Sequence, residues 1–99
     1  MELKNCDDVQ QILCSGGTLL DVRTAKEYQN GALARAKNIP LALLPVLARE
    51  RLNKDQHILI YCHSGARAIM AEKILAGLGF SRITNLGGIH QYRHCNLAC

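Results

Sequence analysis

The stretch HILIYCHSGARAIMAEKILAGL, residues 57–78, decides the fold of this chain. Residues 57–62 form an apolar run that is typical of a strand buried on both faces in a parallel β-sheet. Residues 66–78 carry apolar side chains at helical spacing and predict a helix that Gly79 ends. A buried strand that leads into a helix indicates an α/β domain. The apolar stripe of this helix comprises Met70, Ala71, Ile74, Leu75 and Leu78.

Shorter elements flank this unit on both sides. Before it, we predict helices over 5–13, 24–28 and 43–52, and extended segments over 18–22 and 37–39. After it, we predict a strand over 82–86, a turn at Gly87-Gly88 and a short helix over 89–94. This alternation favours a mainly parallel sheet, whose ligands bind beyond the carboxyl ends of the strands. Cys62 lies at such an end.

Length, composition and charge exclude several classes of protein. The chain has 99 residues, of which 48% are apolar and 20% charged, and we expect one globular domain over 1–99. The longest nearly apolar run, residues 39–48, is too short to span a membrane. Residues 1–5 have no apolar core after a basic start, so we expect no secretory leader. The net charge of +4 fits a small anionic substrate or an acidic partner surface, whereas the few aromatic residues disfavour nucleic acid.

The cysteines are five in number, which is odd, and they form no CxxC pair. Without a leader we expect a reducing, cytoplasmic setting and no disulfide framework. Cys6 and Cys14 are then bystanders on the first helix. Cys95 and Cys99 could bind a metal with His90 and His94, accept sulfur or form crosslinks, but no acidic residue lies near them in sequence. We predict no metal and no cofactor.

The segment Cys62-His63-Ser64-Gly65-Ala66-Arg67 carries the chemistry. A loop that feeds a helix N-terminus directs backbone N–H groups towards an anion, and here these groups would stabilise a Cys62 thiolate. Gly65 permits the tight backbone curvature, and Arg67 could hold a second anion or support the loop. The sequence predicts a nucleophilic cysteine in an anion-binding loop.

Other polar residues admit two interpretations each. His63 could steer anions at the mouth of the pocket or be a replaceable exposed side chain. Ser64 could donate a hydrogen bond to the bound anion or simply suit a tight loop. Arg23 and Glu27 are predicted to form a structural ion pair near the site, and Asp21 to hold loops at the end of its strand.

The loop Cys62-x-x-Gly65-x-Arg67, with the strand before it, resembles the active-site loop of the rhodanese-like sulfurtransferases. Three further motifs match in the family's order, so the resemblance covers residues 19–92. These motifs are Asp21-Val22-Arg23 with Glu27-Tyr28, then Asn38-Ile39-Pro40, and Leu86-Gly87-Gly88.

The resemblance implies a single rhodanese domain with a central, mainly parallel sheet and helices on both faces. It implies that Cys62 takes sulfur from a donor such as thiosulfate, holds it as a persulfide and passes it to cyanide or a thiol. The catalytic residues would be Cys62 and Arg67. Substrate would be bound by the loop residues His63, Ser64, Gly65 and Ala66. A thiol acceptor could be thioredoxin or another sulfur-accepting protein.

The sequence departs from the family in places. Residues 31–36 read GALARA where the family often has GHIxGA, Ala68 replaces a frequent serine, and Tyr92 replaces a frequent tryptophan. We expect these changes to alter local packing and the pocket rim.

Two alternative functions remain at this point. The domain could relay persulfide sulfur to a partner enzyme. It could also be a cysteine-based phosphatase or arsenate reductase, but those enzymes need five residues between cysteine and arginine, and this loop has four.

Overall fold

The structure, a computed structural model, describes residues 5–99. The expectation about a leader rests largely on residues 1–4, which lie outside the described residues. The strands are β1 (Thr18–Asp21), β2 (Ala36–Asn38), β3 (Ile58–Cys62) and β4 (Ile83–Gly88). The α-helices are α1 (Cys6–Cys14), α2 (Ala25–Gln29), α3 (Leu44–Arg51) and α4 (Ala66–Gly77), and 3-10 turns cover Leu41–Leu43 and Ile89–Gln91.

All strand pairs are parallel, in the order β2-β1-β3-β4. The central strand β3 is buried along its whole length, as its apolar run predicts. At the carboxyl edge, Asp21 of β1 pairs with Tyr61, and Cys62 pairs with Gly88 of β4. The ends of three strands therefore meet around Cys62.

The sheet separates two apolar cores, because successive side chains of a strand point to opposite faces. Leu20, Ile58 and Ile60 pack with α3 and α4 on one face. Leu19, Leu59 and Tyr61 pack with α1 and the carboxyl-terminal segment on the other. The predicted α/β sheet with helices on both faces is confirmed.

Short-range signals place the helix starts correctly. The Asn5 side chain accepts a hydrogen bond from the N–H of Asp8 at 2.8 Å and caps α1. Thr24 and Glu27 form a capping box at α2. Pro45 lies in the first turn of α3, where it costs no hydrogen bond.

Three local predictions are wrong. Met70 is 50% exposed, because α4 rests on the sheet through Ala68, Ala71 and Leu75 instead. Gly87 and Gly88 continue β4, where they pair with β3, and do not form a turn. The last helix shortens to the 3-10 turn over Ile89–Gln91.

The prediction of no disulfides is also wrong. The structure has the disulfides Cys6–Cys95 and Cys14–Cys99, which join α1 to the carboxyl-terminal segment. Their partners are 89 and 85 residues apart in sequence, so no local spacing signals them. Paired cysteines remove the argument for a reducing compartment, and a cytoplasmic location stays a prediction. Among the helices of residues 5–99, none combines the length and apolar character that crossing a membrane requires.

Candidate active site

Cys62 ends β3 with its side chain buried, 1% exposed, and is the one thiol among the described residues 5–99. The backbone N–H of Gly65 donates a hydrogen bond to the Cys62 Sγ at 2.9 Å. Gly65 makes this bond at a φ of +104°, a conformation that L side chains rarely adopt. A backbone donor is therefore aimed at the sulfur before any substrate arrives, and it favours negative charge there.

The loop leads directly into the N-terminus of α4, whose 12 residues begin at Ala66. The positive end of the helix dipole and its first N–H groups therefore face the region beyond Cys62. His63, Ser64 and Ala66 are exposed, whereas Gly65 is buried. This arrangement can stabilise an anion bound next to the thiol.

The two glycines that end β4 form a wall behind the loop. A Cβ atom on Gly88 would lie 2.7 Å from the carbonyl oxygen of His63. The Gly87 Cα would lie 3.6 Å from a Cβ on Gly65. The sequence predicts a turn at these two glycines. Their close approach to the loop follows instead from the pairing of β3 with β4.

Arg67 forms an ion pair with Glu27, not the predicted Arg23–Glu27 pair. Its Nη1 and Nη2 donate to the two carboxylate oxygens of Glu27 at 2.7 and 2.9 Å. Because Arg67 donates these bonds, the pKa of Glu27 falls from 4.5 to about 2. The pKa of Arg67 is raised, first by its hydrogen bond to Glu27 and also by the negative charge of Cys62. The pair fixes α2 to the start of α4.

Arg23 pairs with Asp21 instead, inside the protein. Its Nη2 lies 2.7 Å from Asp21 Oδ2 and also donates to the carbonyl of Gly31 at 2.8 Å. The hydroxyl of Tyr61 donates to the same Asp21 oxygen at 2.7 Å and accepts from the N–H of Leu33 at 3.1 Å. Asp21 therefore links the segment after α2 to β1 and β3 through Arg23 and Tyr61, and no feature of the sequence predicted the contact with Tyr61. Burial is the main cause that raises the pKa of Tyr61.

A second imidazole lies at the mouth of the site. The ring of His90 meets the ring of His63 edge to face, with centroids 4.9 Å apart. The sequence indicates His90 only as a possible metal ligand with His94. Within residues 5–99, the group able to offer three metal ligands is Cys6, His94 and Cys95, but the disulfide occupies both of its sulfurs.

A cavity of about 260 Å³ lies beside Arg67 and is lined mainly by apolar residues of the segments after β1 and β2. A larger cavity of about 470 Å³ is lined by Gly17, His57 and Arg82, at the amino ends of the strands. Parallel sheets place ligands at the opposite, carboxyl edge, where the smaller cavity lies; its lining includes Arg67 but not Cys62.

The chain is similar to known proteins. A family model for the rhodanese-like domain matches residues 4–95. A sulfurtransferase of Allochromatium vinosum is 39% identical over 70 residues, which are 71% of this chain and 64% of that protein. Thiosulfate sulfurtransferase PspE of Escherichia coli is 31% identical over an alignment of 75 positions, and the match covers 71% of this chain and 68% of that protein.

A solved structure described as rhodanese with anions from E. coli superposes with a TM-score of 0.73 and 27% identity. The match covers 82% of this chain and 95% of that one. The range matched by the family model spans nearly all of the described residues. It contains the Cys62 loop, the residues of the ion pairs near the loop, and the two glycines that end β4. The chain belongs to the rhodanese-like family of sulfurtransferases.

Proposed function

We propose that this protein is a thiosulfate sulfurtransferase in which Cys62 carries the transferred sulfur as a persulfide. The observation that carries the proposal is the Gly65 N–H donated to the Cys62 Sγ at 2.9 Å, at the head of α4. A thiolate is the nucleophilic form of cysteine, and backbone donors together with a helix N-terminus favour it. Relatives named as sulfurtransferases support the same activity.

The reaction proceeds by two displacements. The Cys62 thiolate attacks the outer sulfur of thiosulfate, the sulfur–sulfur bond breaks, and its electron pair leaves with sulfite. Cyanide or a thiolate then attacks the terminal sulfur of the persulfide, and the electron pair of that bond returns to Cys62. With cyanide the product is thiocyanate, and the enzyme regains its thiolate.

The loop residues have separate roles in this scheme. The N–H groups from His63 to Arg67 bind the terminal sulfur anion of the persulfide. Arg67 positions the loop through its bond to Glu27 and adds positive charge near Cys62. Both of its terminal nitrogens bind Glu27, and this holds Arg67 against α2. The loop has four residues between Cys62 and Arg67, one fewer than cysteine-based phosphatases need, and this favours sulfur transfer over phosphate hydrolysis.

A second candidate is a relay that delivers sulfur to a protein thiol such as that of thioredoxin. Ile69 and Met70 favour it, since they follow the loop directly and are 43% and 50% exposed. Exposed apolar side chains in that position suit contact with the surface of a protein acceptor, whereas they would not help to bind a small anion such as cyanide.

Intact-protein mass spectrometry after thiosulfate treatment tests the main proposal. We expect the wild type to gain one sulfur that cyanide removes, and Cys62→Ser to gain none. A matched control, Ser64→Ala, keeps the nucleophile and should still gain sulfur. Equal gain by Cys62→Ser would contradict the proposal.

Discharge of the persulfide separates the two candidates. The loaded protein is mixed with cyanide or with reduced thioredoxin, for the wild type and Met70→Ser. A relay predicts that Met70→Ser slows discharge to thioredoxin and leaves discharge to cyanide unchanged. Equal rates for both variants with both acceptors would argue against the relay.

A further inference from the structure

Arg35 adopts an unusual backbone conformation for its residue type. Its φ is +71°, and among residues 5–99 every other residue with positive φ is glycine. A side chain in the left-handed region is sterically disfavoured. Such strain persists where the surroundings hold the residue in place, so the contacts of its side chain indicate what the position does.

The Arg35 guanidinium lies against the Cys14–Cys99 disulfide. Its Nη1 is 2.8 Å from Cys99 Sγ, 4.0 Å from Cys14 Sγ and donates to the carbonyl of Leu97 at 3.2 Å. Its Nη2 donates to the carbonyl of Leu13 at 3.5 Å. One fixed positive charge thus bridges the two chain segments that the disulfide joins, and it lies closer to the Cys99 sulfur.

The other disulfide has a different environment. Cys6 and Cys95 are half-buried, whereas Cys14 and Cys99 are both exposed. The Cys6 Sγ faces the imidazole of His94 at 3.4 Å, and no arginine of residues 5–99 donates a hydrogen bond to either sulfur of this disulfide. Accessibility and an adjacent cation are the features that distinguish exchanging disulfides from inert ones.

We propose that Cys14–Cys99 is a thiol–disulfide exchange site for reduced dithiols, activated by Arg35. One thiolate of the dithiol attacks the Cys14 sulfur, the Cys14–Cys99 bond breaks, and its electron pair goes to Cys99 beside the guanidinium. The second thiolate of the dithiol then attacks the mixed disulfide and releases Cys14. The chain gains two electrons as two thiols, and the dithiol leaves as a disulfide.

Exchange at this site leaves the fold in place. The Cys6–Cys95 bond still anchors the carboxyl-terminal segment to α1 when Cys14–Cys99 is open. The site is also chemically separate from sulfur transfer, because Cys62 is buried at the end of β3 and does not take part.

Two parent variants isolate the disulfides. Cys6→Ser/Cys95→Ser retains only Cys14–Cys99, and Cys14→Ser/Cys99→Ser retains only Cys6–Cys95. Each parent is prepared with Arg35, Arg35→Gln or Arg35→Lys. The full-length proteins are equilibrated in mixtures of oxidised and reduced dithiothreitol, quenched with acid and alkylated, and intact mass then counts the free thiols. Cys62 contributes one thiol throughout.

We expect Arg35→Gln to require a roughly threefold to tenfold higher ratio of reduced to oxidised dithiothreitol for half-reduction of Cys14–Cys99. Arg35→Lys should raise this ratio less than Arg35→Gln does. The ratio for half-reduction of Cys6–Cys95 should be the same with Arg35, Gln or Lys at this position. A merely structural role for Arg35 predicts the opposite sign, because losing the bond to Leu97 loosens the oxidised form. No shift, a shift of both disulfides, or identical behaviour of Gln and Lys would overturn the proposal.

Discussion

The Cys62 sulfur receives its hydrogen bond from a backbone N–H group and not from a side chain. Gly65 supplies the donor to the Cys62 Sγ, and Gly88 leaves room for the carbonyl of His63 behind it. Side chains such as Arg67 and Glu27 act one step further away, by holding the loop. Gly65 and Gly88 therefore contribute to the site because they lack a side chain.

Gly88→Ala should damage the site through close contact. The new Cβ would lie 2.7 Å from the His63 carbonyl oxygen, a backbone atom that cannot rotate away. Overpacking of this kind costs about 1–3 kcal/mol, and we expect both lower stability in urea and slower persulfide formation. Gly77→Ala is the matched control, because a Cβ there meets nothing within 4 Å. It should stabilise α4 slightly, and equal losses in the two variants would refute the contact argument.

Glu27→Gln should alter how stability depends on pH. The pKa of Glu27 is lowered from 4.5 to about 2, so its carboxylate stabilises the folded state fully above pH 4.5 and loses that effect as the pH falls towards 2. The pair is 34% exposed on each side, which limits the effect to about 1 kcal/mol or less. Urea unfolding should show a deficit in Glu27→Gln at pH 7 that disappears near pH 2.

The control for this measurement is Glu50→Gln, an exposed residue of α3. Its stability should follow the wild type across the whole range. A deficit of Glu27→Gln that persists unchanged at pH 2 would mean that the ion pair is not its cause.

Among the elements, β3 connects the core to the site. Its odd-numbered side chains fill one core and its even-numbered side chains the other, and its last two residues are Tyr61 and Cys62. The apolar run predicts this strand correctly, since every residue of Ile58–Cys62 is buried. The side-chain partners at its end could not be predicted, because they come from β1, β4 and the segment after α2.

Tyr61→Phe tests the connection between β3 and β1. The variant removes the hydroxyl bonded to Asp21 and Leu33 and leaves a buried N–H without its acceptor. A loss of about 1–3 kcal/mol in the free energy of unfolding is expected. Tyr28→Phe removes a hydroxyl that donates to the carbonyl of Ala36 in a half-buried setting and should cost less. A larger loss for Tyr28→Phe would contradict this account.

On the scale of the whole molecule, the two disulfides close the chain on itself. They join α1 near the start to residues 95 and 99, and the two sulfur pairs enclose most of the sequence. A small domain has a limited core, so such crosslinks matter for its stability. The same segment carries Leu97 into the core against α1.

Reduction of both disulfides should therefore lower stability substantially. In the chain-entropy account, the first crosslink across 89 residues contributes about 4–5 kcal/mol, and the second adds less because its loop overlaps. We expect dithiothreitol to lower the urea midpoint of the wild type. The variant with serine at all four crosslinking positions should not respond to the reductant, and an unchanged wild-type midpoint would contradict the contribution of the crosslinks.

The sequence by itself determined the strand and helix around Cys62, the parallel α/β arrangement and the family resemblance. The strand and the helix depend on side-chain periodicity and turn residues that lie close together in sequence, and the resemblance depends on short motifs in a set order. Only the tertiary structure decided that Arg67 binds Glu27 while Arg23 binds Asp21, and that Cys6 and Cys14 find Cys95 and Cys99. The contacts of Arg67 and of the paired cysteines join residues that are 40 or more positions apart in sequence. The order of the strands in the sheet determines whether such residues lie close in space, and local sequence patterns do not encode that order.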